Sequence, residues 1–592
     1  MKIKNKKINL NISNNSIKFI IAYFSIISAL ELLAFGVGGS FSAMAAYIWL
    51  FSGIVLVGYS LYTLCKKIVE DIKNKNFFVL GGFMLLIILL FILIGNVSLS
   101  DINPDAAQQA AAGLDSFNEA DLNYTKTAFL GYPNRQYVIA AIPALILGRS
   151  IWTLHLGFGL MFLIGLSVMF ITLREWLAQQ EITEEYALLP CFALLAFPFI
   201  TEYFMNFEQA ITPVSLTMLG IGLFLRLLMH TDIISVVSIS YVGCLLADSY
   251  TPAIASAGLL VVFLAIFILK LKSPKIGDIL LPYSFDKSSS KTPLDINTVS
   301  VAIAGSIANI LVFFTVTFIA GRSDRINEFR ESTSLIKTAF SSWKEFFTDA
   351  NARFLGIFCG IILLYMLLSF TFRLKVTDCL ISLWVLGVVF FSDYMIGYTS
   401  YEKSWIIQRN IIIIPVLLIF VFFAIIRILK KYRLTISKPV LIIVSLFFFA
   451  AGIFNISQPH RSFKYFSYIQ PMKYAIDYIE DTLDENGLSV TDEFNLVIYT
   501  DNILQSNIHD YAKFFFPNAV TYSESGNVYD STIDLSKPTL FFAEDERLRT
   551  LEPDDMGSDD YIQFLQTSMD SKTFKNFRYD TEITWYRKLI KQ

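Results

Sequence analysis

The chain has 592 residues, 55% of them hydrophobic and 16% charged, with a formal net charge of -3. Soluble domains carry about 25% charged residues, so a water-soluble globule is excluded for the chain as a whole. No basic patch with interleaved aromatics is present, which removes nucleic acid from the candidate partners.

Run length decides the class. Residues 77–95 and 354–372 contain no charged side chain and, as helix, are long enough to cross a hydrocarbon core of about 30 Å. Their apolar residues do not alternate, which excludes a transmembrane β-barrel. The N-terminus carries Lys2, Lys4, Lys6 and Lys7 ahead of an apolar stretch from Phe19, and a second run at 43–64 follows at once. This reads as a retained first helix rather than a cleaved leader. In chain order the predicted spans are 19–35, 43–64, 77–98, 152–173, 186–205, 209–229, 233–249, 252–270, 299–320, 354–372, 377–397, 410–428 and 439–456, about thirteen in all. Residues 138–147 are too short to cross and are expected to lie in the interface or re-enter. Spans 233–249 and 252–270 also read as one broken pair, with Asp248 in Ala-Asp-Ser-Tyr-Thr-Pro at the break. Glu31, Arg226, Asp248 and Asp393 fall near span ends, where water access lowers the cost of a charge.

Lysine and arginine in the short loops set the orientation. With the N-terminal tail, one side collects Lys66, Lys67, Lys73 and Lys75, then Lys270, Lys272 and Lys275. Arg373 and Lys375, and Arg427, Lys430, Lys431 and Arg433, join them there. That side is expected to be the cytoplasm, in a multi-pass protein of the plasma membrane. Loops 99–137, 321–352 and 398–409 then face outward, with everything after Ser457. Residues 1–457 form the transmembrane domain and 458–592 an extracytoplasmic soluble α/β domain, roughly 130 residues and enough for a small core. In it, Met472–Leu483 reads as an amphipathic helix, and Leu496–Thr500 and Thr539–Phe542 as short buried strands. Helix signals lie around Ile503–Phe515 between those strands. No internal repeat is evident, which counts against the repeat-built transporters. The histidines His155, His230, His460 and His509 lack ligand spacing, so no histidine metal site is expected. Acids alone could still hold a divalent ion, and no other cofactor is implied.

The segment with most chemistry is 99–137, LSDINPDAAQQAAAGLDSFNEADLNYTKTAFLGYPNRQY. Its acids Asp101, Asp105, Asp115, Glu119 and Asp121 follow a span directly, at the boundary between membrane and water. A carboxylate there can take the proton of an acceptor hydroxyl. The same acids equally serve to solvate an outer loop. Pro104 suits the first turn of a helix, and Asp105 beside it faces that helix's positive end.

A span ending in an acid-bearing outer loop, then Tyr-Pro-Asn-Arg-Gln-Tyr, a short apolar segment, a Leu-Gly-Arg-Ser break and a span ending in Arg174 resembles the N-terminal signature of the glycosyltransferase C superfamily. The pattern is most similar to bacterial members of the dolichyl-phosphate-mannose protein mannosyltransferase family (family 39) and to the aminoarabinose transferases. It covers residues 77–230 at motif level and the remainder in architecture only. The resemblance implies a glycosyltransferase C type fold and transfer of a sugar from a polyprenyl-phosphate donor to a glycan, lipid or protein acceptor on the outer face. It implies an essential aspartate in the first large outer loop. Asp105 matches that place best, with Asp101 and Asp121 as alternatives. A cation leading into a Pro-containing late span matches Arg409 and Pro415. Arg409, with Lys403 and Arg135, is the expected holder of the donor phosphate, since a guanidinium forks onto phosphate oxygens. Snorkelling at a helix end would also place Arg409 there. Glu208 and Glu202 are candidates for a second acid. Two departures stand out: the family's frequent Asp-Glu pair is absent, and an extra hairpin of two spans precedes the usual start. The rival readings are a lipid or glycan transporter or flippase, and a non-catalytic scaffold with an outer binding domain.

Overall fold

Hydrocarbon thickness dictates helix length through most of the molecule. The computed structural model describes residues 2–37, 39–97, 111, 114, 142–197, 200–201, 211–249, 251–276, 296–317, 360, 380–388, 411–457, 472–499, 512–523, 536–544, 570–576 and 581–590. Among the described residues nine helices are long and apolar enough to cross a membrane. They are α1 (Lys2–Gly36), α2 (Ser40–Lys73), α3 (Phe77–Val97), α4 (Ile151–Gln179), α6 (Ile211–His230), α8 (Thr251–Lys272), α9 (Ile296–Thr317), α10 (Ile413–Tyr432) and α11 (Lys438–Ser457). Two shorter helices, α5 (Leu188–Leu195) and α7 (Ile233–Ala247), lie among them. The nine match predicted spans. Predicted spans 354–372 and 377–397 lie outside the described residues except for 360 and 380–388, which are helical.

Two expectations change. The run at 186–205 begins as an eight-residue helix rather than one long crossing. Pro198 explains the stop: it has no N–H to offer and disfavours helical backbone at Phe197. The Phe197 N–H turns back to the Leu194 carbonyl at 3.2 Å. The carbonyls this leaves are answered by side chains. Thr201 Oγ1 donates to Leu195 O at 3.3 Å, and Asn455 Nδ2 of α11 donates to Ala196 O at 2.7 Å. Irregular backbone at membrane depth survives only when satisfied in this way. The second change concerns water. Glu31 and Asp248 are 3% and 1% exposed, closed within the bundle rather than bathed at its ends. The α7–α8 break itself is as expected: Asp248 caps α7, Thr317 Oγ1 of α9 donates to its carboxylate, and Pro252 enters the first turn of α8.

Small residues bring helices together where no hydrophobic drive exists between them. A Cβ at Gly165 of α4 would stand 2.5 Å from the Ser215 carbonyl of α6, and one at Gly222 of α6 would stand 2.9 Å from the Met169 nitrogen of α4. The α4–α6 crossing is therefore backbone against backbone. Polar side chains add specific ties. Asn309 of α9 accepts from Ser28 Oγ of α1 and donates to Ser240 Oγ of α7, both at 3.1 Å.

The C-terminal part is α/β. Helix α12 (Met472–Glu485) buries Ala475, Ile476, Tyr478, Ile479 and Leu483, one face at helical spacing. The sheet holds β1 (Asn495–Tyr499), β2 (Val520–Ser523), β3 (Thr539–Glu544), β4 (Asp570–Asn576) and β5 (Thr581–Ile590) in the order β2-β1-β3-β5-β4. The first three are parallel, and β5 runs antiparallel to both β3 and β4. β1 and β3 are the two strands expected from their apolar runs. β4 and β5 escape that signal because β4 is a polar, exposed edge. Arg587 of β5 lies over the Tyr478 ring at 4.2 Å and donates to Thr482 Oγ1 at 2.6 Å, fastening α12 to the sheet.

Candidate functional site: a lateral apolar crevice

Side chains of α2, α4, α6, α7 and the short helix 142–147 enclose an apolar crevice of about 1060 Å³. Glycine shapes the α2 wall. A Cβ at Gly53 would come within 2.5 Å of Tyr241 Oη, so its absence lets that ring lie against α2, while Gly58 faces open space. Tyr241 also packs on Trp49, ring centroids 5.2 Å apart. The lining is otherwise aliphatic or aromatic, with Ser215 and Tyr47 as its further polar members. Phe51 and Ile54 of α2 and Ile146 of the short helix are 66%, 68% and 76% exposed, so the crevice opens sideways through membrane-spanning surface. A space of this size and lining suits a hydrocarbon chain, not water, which needs polar partners. A second apolar cavity of about 120 Å³ lies between α6, α8 and α10.

One end of the crevice adjoins the chemistry-bearing loop in the chain. Ile142, Leu145 and Ile146 line it and follow residues 99–137 almost at once. The turn after them is rigidly specified. Gly148 has φ +90°, and Ser150 caps α4 in a reciprocal box: the Thr153 N–H donates to Ser150 Oγ at 3.1 Å and the Ser150 N–H to Thr153 Oγ1 at 3.0 Å. Arg149, between them, donates from Nη1 to the Phe514 carbonyl of the C-terminal part at 3.0 Å.

The opposite end of the bundle is charged. Arg174, 2% exposed in its side chain, grips Asp71 of α2 with two bonds of 2.7 Å and Glu184 with one of 2.9 Å. Its guanidinium also lies 5.5 Å from the Phe170 ring, which stacks on Phe83 of α3. Lys438 pairs with Glu185, Lys430 donates to Gln180, and Glu175 meets His230 at 3.0 Å. These separate pairs gather at one end of α2, α4, α6, α10 and α11, and of the residues in them Lys430 belongs to the basic set expected on one side.

All eight site residues expected from sequence lie outside the described residues: Asp101, Asp105, Asp121, Arg135, Glu202, Glu208, Lys403 and Arg409. Their nearest described neighbours are informative. Ala111 and Leu114, in the small-residue stretch after Asp105, are helical and 2% and 1% exposed. Ile411 and Ile412, just past Arg409, are fully buried at the entry to α10, with Pro415 in its first turn. Sequence reasoning missed the Asp71–Arg174–Glu184 cluster and the role of Arg149. Arg174 and Arg149 stood in quoted motifs, but nothing local pointed to partners so distant in the chain. Among the described residues no group of three His, Cys, Asp or Glu side chains could hold a metal ion.

No family model matches the chain, and no curated protein matches it in sequence. Among solved structures, it is similar to ArnT from Cupriavidus metallidurans bound to undecaprenyl phosphate, at 11% identity and a TM-score of 0.48, covering 85% of this chain and 97% of that one. The apo state of the same protein gives 10% identity and a TM-score of 0.46, with the same coverage of both chains.

Proposed function

We propose that this chain is a membrane glycosyltransferase of the glycosyltransferase C type, moving a sugar from a polyprenyl-phosphate donor to an acceptor on the extracytoplasmic face. The single observation that carries the reading is the sideways-open apolar crevice whose one end is lined by the residues directly following the acidic loop. A lipid carrier needs both features together: a dry slot for its chain and a polar boundary site for its phosphate and sugar. In this reading the chain of the donor lies between α2 and the α4–α6–α7 wall. Arg409 holds the phosphate, helped by Arg135 and Lys403, and Asp105 takes the proton of the attacking acceptor group. The bond from the sugar's anomeric carbon to phosphate oxygen breaks as the bond to the acceptor forms, and polyprenyl phosphate leaves with the electron pair. Asp101 and Asp121 are the alternative bases, and Glu208 or Glu202 supplies a second acid. A divalent metal is compatible with those acids.

A transporter or flippase would have its polar residues at mid-membrane on broken helices around a through-path rather than grouped at one face. Here Asn309, Thr201 and Asn455 are engaged in ties between or within helices, and the large cavity is apolar and lateral. The test is a pair of isosteric changes. Asp105→Asn keeps size and most hydrogen bonding but removes the base, and turnover should fall by about 10²–10⁴-fold with donor binding retained. Asp101→Asn should lose far less. Normal turnover in the first with a dead second would move the base to Asp101, and full activity in both would reduce the loop to solvation.

A further inference from the structure

The contact between Arg149 and Phe514 joins residues 365 apart in the chain, and both ends of it are held rigidly. On the C-terminal side, Phe514 is fully buried in the helical turn 512–515, edge-on to Phe515 with ring centroids 4.9 Å apart. The Phe516 N–H closes that turn on the Ala512 carbonyl at 2.8 Å, and its ring packs on Phe494, the residue before β1, at 5.8 Å. The Phe514 carbonyl thus belongs to the last turn of a helix, where no intrahelical partner exists, and Arg149 supplies one. The guanidinium carbon also lies 5.9 Å from the Phe514 ring centroid. On the membrane side, the Ser150–Thr153 box fixes the backbone directly after Arg149, and Gly148 supplies the left-handed turn before it. Three residues back from Arg149 stands Ile146, the most exposed side chain of the crevice lining.

We propose that Arg149 is a positioning residue through which the C-terminal domain sets the outer mouth of the crevice, and so governs how a polyprenyl chain enters it. The proposal rests on the transferase reading for its ligand, though not for its mechanics. Within the described residues helix 142–147 is one wall of the crevice, and six residues of helix do not hold their position by length. Docking of its C-terminal turn on the sheet domain provides the missing restraint.

Wild type, Arg149→Gln and Arg149→Lys are compared as full-length protein in nanodiscs. Hydrogen exchange is read over 142–147, and kcat and KM are read with a polyprenyl-phosphate sugar as donor. Arg149→Gln should speed exchange in 142–147 and raise the donor KM by about ten- to a hundredfold, the range for a lost charge-assisted hydrogen bond, with kcat unchanged. Arg149→Lys should fall between, since an ammonium can reach the carbonyl but lacks the planar fork of a guanidinium. Exchange unchanged in Arg149→Gln, or a loss confined to kcat, overturns the proposal. If Arg149→Gln does not fold, Arg149→Lys decides: intermediate exchange supports the latch and wild-type exchange overturns it. Faster exchange in Arg149→Gln from a protein whose wild type transfers no sugar leaves the latch standing and removes the transferase reading.

Discussion

Arg174 shows what a buried charge demands. Desolvation disfavours its charge, and two carboxylates with an aromatic face restore it: Asp71 and Glu184 by hydrogen bonds, Phe170 by its ring. Breaking such a pair from one side strands the other charge, at about 3–5 kcal/mol, whereas replacing both partners with apolar groups is often nearly neutral. Arg174→Leu should therefore lower the thermal midpoint sharply, and Arg174→Leu with Asp71→Leu should recover much of the loss. Differential scanning fluorimetry in detergent measures both, and a single variant as stable as wild type would remove the pair from the stability account. Little of this pair was legible beforehand. Arg174 was visible as the polar end of a span, yet Asp71 lies 103 residues away and no local pattern couples them. The catalytic candidates present the reverse case. Asp105 and Arg409 were singled out from the sequence and its family resemblance, lie outside the described residues, and carry proposed roles only.

Helices were the most legible elements, because a fixed hydrocarbon thickness forces a fixed apolar length. Where burial is in protein rather than lipid, that logic weakens. α5 is as apolar as a span, but six of its eight residues are buried among other helices and it stops ahead of Pro198. Apolar composition alone does not separate these two environments. In the C-terminal part the same holds in reverse: β1 reads as Asn-Leu-Val-Ile-Tyr because it is central and covered, and β4 does not read as a strand because it is an exposed edge. Glycine spacing was also silent, since whether a helical glycine faces lipid or a neighbour is set by the fold. Gly58 and Gly222 differ in that respect alone. Gly222→Ala should cost about 1–3 kcal/mol, because the new Cβ meets Met169 backbone that cannot move aside. Gly58→Ala should cost far less than that. Equal losses at the two sites, measured by thermal unfolding, would contradict the close α4–α6 crossing.

At the scale of the whole molecule, the two ends of the bundle differ in kind. One carries separate ion pairs and hydrogen bonds of lysine, arginine, histidine and carboxylate side chains, drawn from five helices. The other carries the turn 148–150, the docking of the C-terminal domain and the chain ends that lead into the acidic loop. Between them lies the apolar crevice along α2, the route proposed for the lipid chain. An apolar slot of this kind is what the proposed lipid-carrier transferase requires. Incubation of the purified protein in nanodiscs with a polyprenyl-phosphate sugar labelled in the sugar, and with bacterial membranes as acceptor source, tests this most directly. The account predicts that label leaves the carrier lipid for a second product, that free polyprenyl phosphate appears in equal amount, and that Asp105→Asn slows both. Label that stays on the carrier, or moves intact with its lipid across the bilayer, would contradict it.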